Sequence, residues 1–119
     1  MASIPFSGEN IHYVDPKTGV DYETKQSTDE VEIAIIEFES TFERDVKKRL
    51  DLFRENEREY RRWINGHIDI VLCGWSHKNK KLPAFPKGNP SANMQGELKQ
   101  QILQWWNNQK YFTGEDLKK

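Results

Sequence analysis

The sequence predicts a mainly α fold: a small helical domain with an N-terminal β-hairpin and one long amphipathic helix. Two observations predict it. Ile35, Phe38, Phe42, Val46, Leu50, Phe53, Tyr60 and Ile64 recur every three or four positions, the spacing that gathers side chains on one helix face. Upstream, Ile11, Tyr13 and Val14, then Val20 and Tyr22, alternate with polar residues around Asp15-Pro16-Lys17-Thr18-Gly19. Pro favours the early position of a type I turn and Gly supplies the left-handed residue that brings the second strand back. A chain of 119 residues buries only about two thirds of its unfolded surface, which suits one domain, 1–119, with a modest core.

Taken in order, the hairpin covers about 11–23. Ser27, Thr28, Asp29 and Glu30 then start a helix, with Ser27 and Glu30 at capping-box spacing. That helix runs from about 28 to 64. Six acids and no base lie between Asp29 and Glu43, whereas Arg44 to Arg62 holds eight bases and five acids, a gradient that matches the helix dipole. Asn65 and Gly66 read as a break or kink. The apolar segment 67–73 (Ile68, Ile70, Val71, Leu72, Cys73) keeps helical spacing, with a short buried strand as the alternative. Prolines and lysines make 76–93 an irregular loop. A C-terminal helix over about 94–110 begins near Asn93, whose side chain can cap it, and Met94, Leu98, Ile102, Trp105, Trp106 and Phe112 give its apolar face; Thr113 and Asp116 allow one more short turn.

Composition narrows the function classes. The charged fraction is 31%, yet fourteen Phe, Trp and Tyr residues supply packing area that disordered chains lack. The net charge of -1 gives no general case for nucleic acid or membrane. Residues 1–65 carry ten bases and fifteen acids, and the remainder is net basic. Cys73 is the sole cysteine, so no internal disulfide forms, and no early apolar run resembles a signal peptide or membrane span. A cytoplasmic site is the expectation.

Chemistry-bearing residues are sparse. His67, Cys73 and His77 offer three zinc ligands with His12 as a distant fourth, whereas structural zinc wants four at paired spacings, so no metal is expected. Lys17 stands where a calcium loop needs an oxygen ligand. A Cys73–His77 nucleophilic pair lacks an orienting group, and the glutamates lie on a solvated helix face. No catalytic residue and no cofactor are therefore assigned. Lys78, Lys80, Lys81 and Lys87 around Trp75 and Phe85 provide a nucleic-acid alternative, opposed by the acidic first half. The aromatic density points instead to a protein partner, with Trp75, Phe85, Trp105, Trp106, Tyr111 and Phe112 as candidate contacts. Trp105 and Trp106 point about 100° apart on a helix, so whether each is core or interface stays open.

With its short hairpin from Tyr13 to Tyr22, the Thr28-Asp29-Glu30 helix start and a small helical body, the first half of the chain resembles the tail assembly chaperones of long-tailed bacteriophages. Those proteins coat the tape measure protein and recruit tail tube subunits. The resemblance implies a tape measure or tail tube partner, self-association, an exposed helix face as the binding surface, a host-cytoplasmic location, and no cofactor or catalytic residue. A phage-encoded inhibitor or adaptor of a host protein is the alternative.

Overall fold

The fold is given by a computed structural model, which describes the backbone of residues 10–117 and the side chains of 10–109. Among these residues there are three strands, β1 (Ile11–Val14), β2 (Asp21–Thr24) and β3 (Leu72–Ser76), and four α-helices. The helices are α1 (Asp29–Glu39), α2 (Val46–Glu55), α3 (Glu57–Val71) and α4 (Gly96–Leu117), and a 3-10 turn covers Pro90–Asn93. The protein is thus rich in helix, with a three-stranded antiparallel sheet as its second layer.

The hairpin forms where the turn chemistry places it. Gly19 takes a φ of 77°, and its N–H donates to the Asp15 carbonyl at 2.8 Å. The buried Asp15 carboxylate accepts from Lys17 N–H at 3.3 Å and from the Thr18 hydroxyl at 2.8 Å, closing the turn from inside. A two-stranded hairpin is marginal by itself, and β3 completes it. The strand order is β1-β2-β3, and Tyr22 pairs with Tyr13 on one side and Trp75 on the other.

The segment 67–73 is therefore neither all helix nor all strand. α3 continues through Gly66 to Val71, and the chain turns extended at Leu72, whose N–H still donates to the Ile68 carbonyl. The Val71 carbonyl accepts from Lys25 N–H at 2.9 Å. The reason is tertiary: the second edge of β2 carries unpaired backbone groups, and β3 satisfies them.

The predicted helix over 28–64 is corrected more substantially, because it is three helices. Thr28, and not Ser27, caps α1 by accepting from Val31 N–H, and Ser27 bonds to Glu32. α1 stops at Glu39, where the Ser40 and Thr41 hydroxyls donate to the carbonyls of Glu37 and Phe38 at 2.6 and 2.8 Å. These bonds compete with the helix ladder. Asp45 caps α2 through Lys48 N–H, and Asn56, at an extended ψ of 94°, ends α2 and caps α3 through Glu59 N–H.

The two breaks fold the apolar stripe back on itself. Phe42 meets Trp63 at 5.0 Å and Phe53 at 6.2 Å between ring centroids, and Phe53 meets Tyr60 and Trp63 at 5.6 Å each. The Arg62 guanidinium lies 3.7 Å from the Phe42 ring centre and that of Arg49 lies 4.7 Å from Trp63, which covers the cluster on its solvent side. His67 ties α1 to α3, with Nε2 2.7 Å from Glu39 and Nδ1 2.6 Å from the Trp63 carbonyl. A stripe that as one straight helix would need an outside partner is covered in part by its own later segments.

Asn65 and Gly66, expected to break the helix, hold it against its neighbours. Phe38 packs so closely on Gly66 that a Cβ there would lie 2.0 Å from its ring. Asn65 accepts a 2.6 Å hydrogen bond from Lys99 of α4. Asp69 accepts from Ser91 N–H at 3.0 Å, docking the 3-10 turn on α3. With α1, α2, α4 and β3 also packed on it, α3 is the central element.

Two buried clusters lie around α3. Tyr22, Ile68, Leu72 and Ile102 form one beneath the sheet; Val31, Ile35, Val71 and Trp106 form the other between α1 and α4. α4 begins at Gly96, after the cap expected at Asn93, and extends to Leu117, so the separate turn expected at Thr113–Asp116 is part of the same helix.

Candidate functional site

The sequence-predicted contact residues divide by position. Trp106 is core: it is 2% exposed, and its indole N–H donates to the Lys25 carbonyl at 2.7 Å. This removes it from the binding surface, since the bond satisfies the polar atom that would otherwise favour an interface. Trp105 is half-buried against Tyr13, 5.4 Å between ring centres. Trp75 and Phe85 come together at 4.9 Å, edge to face. The side chains of Tyr111 and Phe112 lie outside the described residues.

Trp75 and Tyr22 border a cleft of about 530 Å³ between the hairpin, β3, the loop and the start of α4. Val20, Leu82, Pro83, Met94 and Leu98 supply its apolar wall, and Asp15, Lys17 and Glu97 its charged groups. Burial, reinforced by Asp15, pushes the Tyr22 hydroxyl above its ordinary value. A second groove, about 720 Å³, runs between α1, α3 and α4 and is lined by Ile35, Ile36, Trp63, Ile64, Leu103 and Trp106.

The outer faces of α1 and α2 hold residues that the stripe argument either missed or placed inside. Ile33 and Ile36 lie outside the stripe on α1 and are exposed, Ile36 by 64%. Val46 and Leu50, assigned to the buried stripe, are exposed by 58% and 49%, and Leu52 is also exposed. Once Asp45 starts a separate helix, α2 turns Phe53 inward and the other apolar side chains outward. The signal available in the sequence was the pair Ile33 and Ile36, apolar residues with no place on the assigned face.

The residues weighed as metal ligands or nucleophiles are dispersed. His12 pairs with Asp21 at 2.7 Å, His67 with Glu39, and His77 faces the Thr18 carbonyl at 3.1 Å. Among the described residues no three His, Cys, Asp or Glu side chains converge on one point. The Cys73 thiol donates to the Glu23 carbonyl at 3.4 Å. Burial, then the charge of Glu23, raises its pKa against the opposing pull of Lys25. The nucleophilic thiolate is thereby disfavoured at neutral pH.

A raised folded-state pKa contributes stability that is whole below the unfolded thiol's pKa and is lost as pH rises through the folded value. Between about pH 8 and 10 the unfolding free energy is expected to decline, and less steeply in Cys73→Ala. Urea titrations at both ends of that range check it; identical declines would remove Cys73 as a cause.

No family model matches the chain, and no curated protein or solved structure matches it. Among the described residues no helix is long and apolar enough to cross a membrane.

Proposed function

We propose that the protein acts without catalysis, by binding a protein partner through the outward apolar faces of α1 and α2. The supporting observation is the exposure of Ile33, Ile36, Val46, Leu50 and Leu52 on two consecutive helices. Single exposed apolar residues are ordinary, but several on adjoining elements characterise interaction surfaces. An amphipathic helix is the partner such ridges suit, since helices dock through side chains three and four residues apart. In its most specific form the proposal is a tail assembly chaperone or morphogenesis factor of the phage type, whose client is a long helical protein such as a tape measure protein. The exposed acids Asp29, Glu30 and Glu37 of α1 favour a second reading, an inhibitor or adaptor that meets a basic host protein.

The test is the double variant Ile36→Asp/Leu50→Asp, assayed against an immobilised helical fragment of a tape measure protein. Both sites are solvent-exposed, so the unfolding free energy is expected to shift by no more than about 1 kcal/mol. Affinity is expected to drop at least about tenfold, since a charge replaces an exposed apolar side chain on each of the two helices. Undiminished binding by a folded double variant would exclude this surface. Binding that is absent in wild type but present with a basic host protein would favour the second reading.

A further inference from the structure

The loop between β3 and α4 seats part of itself on the aromatic pair of the sheet. Tyr22 and Trp75 are cross-strand partners, with ring centres 6.4 Å apart and planes at 89°. Across them lies Leu82-Pro83-Ala84-Phe85-Pro86, in which the two prolines stand at Pro-x-x-Pro spacing. Each proline fixes its own φ and drives the residue before it toward extended backbone, so the segment is stiff before it docks. The Trp75 indole N–H donates to the Pro83 carbonyl at 2.8 Å, and the Phe85 ring meets the Trp75 ring edge to face.

An indole donor on a backbone carbonyl of a proline-containing strand is one of the contacts by which aromatic grooves hold such strands. Here the indole donor takes the Pro83 carbonyl and the Phe85 side chain takes the ring, with Pro83 itself exposed, and the stiffness of the segment lowers the entropy lost on docking. The surface is larger than its occupant. Beside the segment the cleft of about 530 Å³ continues, with Val20, Met94 and Leu98 as further apolar wall.

We propose that the Tyr22–Trp75 surface is a proline-reading groove, held shut by the chain's own Leu82–Pro86 strap, and that a Pro-x-x-Pro segment of a partner protein displaces the strap. It is separate from the α1–α2 surface and does not depend on it. A tethered strap acts at an effective concentration of order millimolar. An incoming segment therefore binds with an apparent dissociation constant equal to its intrinsic value divided by the fraction of molecules that are open. A partner gains over the strap by extending its chain into the open part of the cleft.

The test uses the full chain and two nine-residue peptides, Lys-Lys-Leu-Pro-Ala-Phe-Pro-Lys-Gly and the same sequence with both prolines replaced by alanine. The readout is the NMR signal of the Trp75 indole N–H, with that of Trp106 as the report on the core. In Phe85→Ala, which takes the strap's ring off Trp75, the proline peptide is expected to bind at least about tenfold more tightly than to wild type. The alanine peptide is expected to leave the Trp75 signal in place. Equal binding of both peptides, or of neither, to folded Phe85→Ala overturns the proposal; so does a dimer of that variant made by strap exchange, which would make a second copy the occupant. Should Phe85→Ala not fold, wild type titrated to millimolar proline peptide decides, because a Trp75 signal that stays fixed there also overturns it.

Discussion

Gly66→Ala is expected to lower the unfolding free energy by about 2 kcal/mol, although alanine is the better helix former by about 1 kcal/mol. The added Cβ would sit 2.0 Å from Cζ of Phe38 and 2.4–2.5 Å from its Cε atoms, inside the ring's present volume. The ring must leave. It then gives up edge contacts with Phe42 and His67, both at 5.2 Å, each worth about 0.5–1.5 kcal/mol, together with part of its burial. Those losses exceed the propensity gain. The decisive measurement is a double-mutant cycle in urea: once Phe38→Ala has vacated the space, adding Gly66→Ala should stabilise by about 1 kcal/mol. A raised midpoint for Gly66→Ala alone would show that Phe38 does not hold α1 against α3.

Trp106→Ala should cost about 3–5 kcal/mol, a large share of the roughly 5–15 kcal/mol that holds a domain together. The indole fills the space among Val31, Ile35 and Val71, and its removal also takes the donor from the Lys25 carbonyl. Trp105→Ala should cost about 1–2 kcal/mol, since one face packs on Tyr13 while the ring remains partly in solvent. Thermal unfolding followed by circular dichroism separates the two. Equal losses would mean that Trp105 belongs to the core as fully as its neighbour.

The hairpin was legible because its turn is encoded locally, by an acidic residue that closes it and a glycine at positive φ. The loop expected over 76–93 was legible in its middle, 77–89, and the final helix in its face, through prolines in one and periodic apolar residues in the other; Ser76 belongs to β3 and Pro90–Asn93 to the 3-10 turn. The three-way division of the long helix was hidden by its own stripe. Ile35 and Phe38 precede the first break, Phe42 lies within it, and Phe53, Tyr60 and Ile64 straddle the second, so the spacing continues where the backbone does not. What stops the helices is small and polar: the hydroxyls of Ser40 and Thr41, and the capping groups of Asp45 and Asn56. Such residues are common on helix surfaces as well, and only packing gives them their effect here. β3 was ambiguous because its strand state depends on the free edge of β2, which local spacing does not register. Gly66 was misread because a glycine that admits a ring and one that breaks a helix look identical in sequence.

The candidate site was legible to the same degree. Trp75 and Phe85 stood out by their type and surroundings, and the structure brings them together. The exposed residues of α2 did not, because their exposure follows from the breaks. Trp106 was separated from Trp105 only by the depth at which α4 lies against α1 and α3.

At the α3–β3 junction the chain passes from Val71 to Leu72 with no intervening loop. Backbone bonds from Leu72 to Ile68 and from Lys25 to Val71 clamp the seam. The junction accordingly offers no loop to act as a hinge, and parting the sheet from α3 requires both bonds to break. The helix on which α1 and α2 pack thus runs without interruption into the strand that carries Trp75, so the spacing between the α1–α2 face and the Trp75 cleft is set by one continuous stretch of hydrogen-bonded backbone.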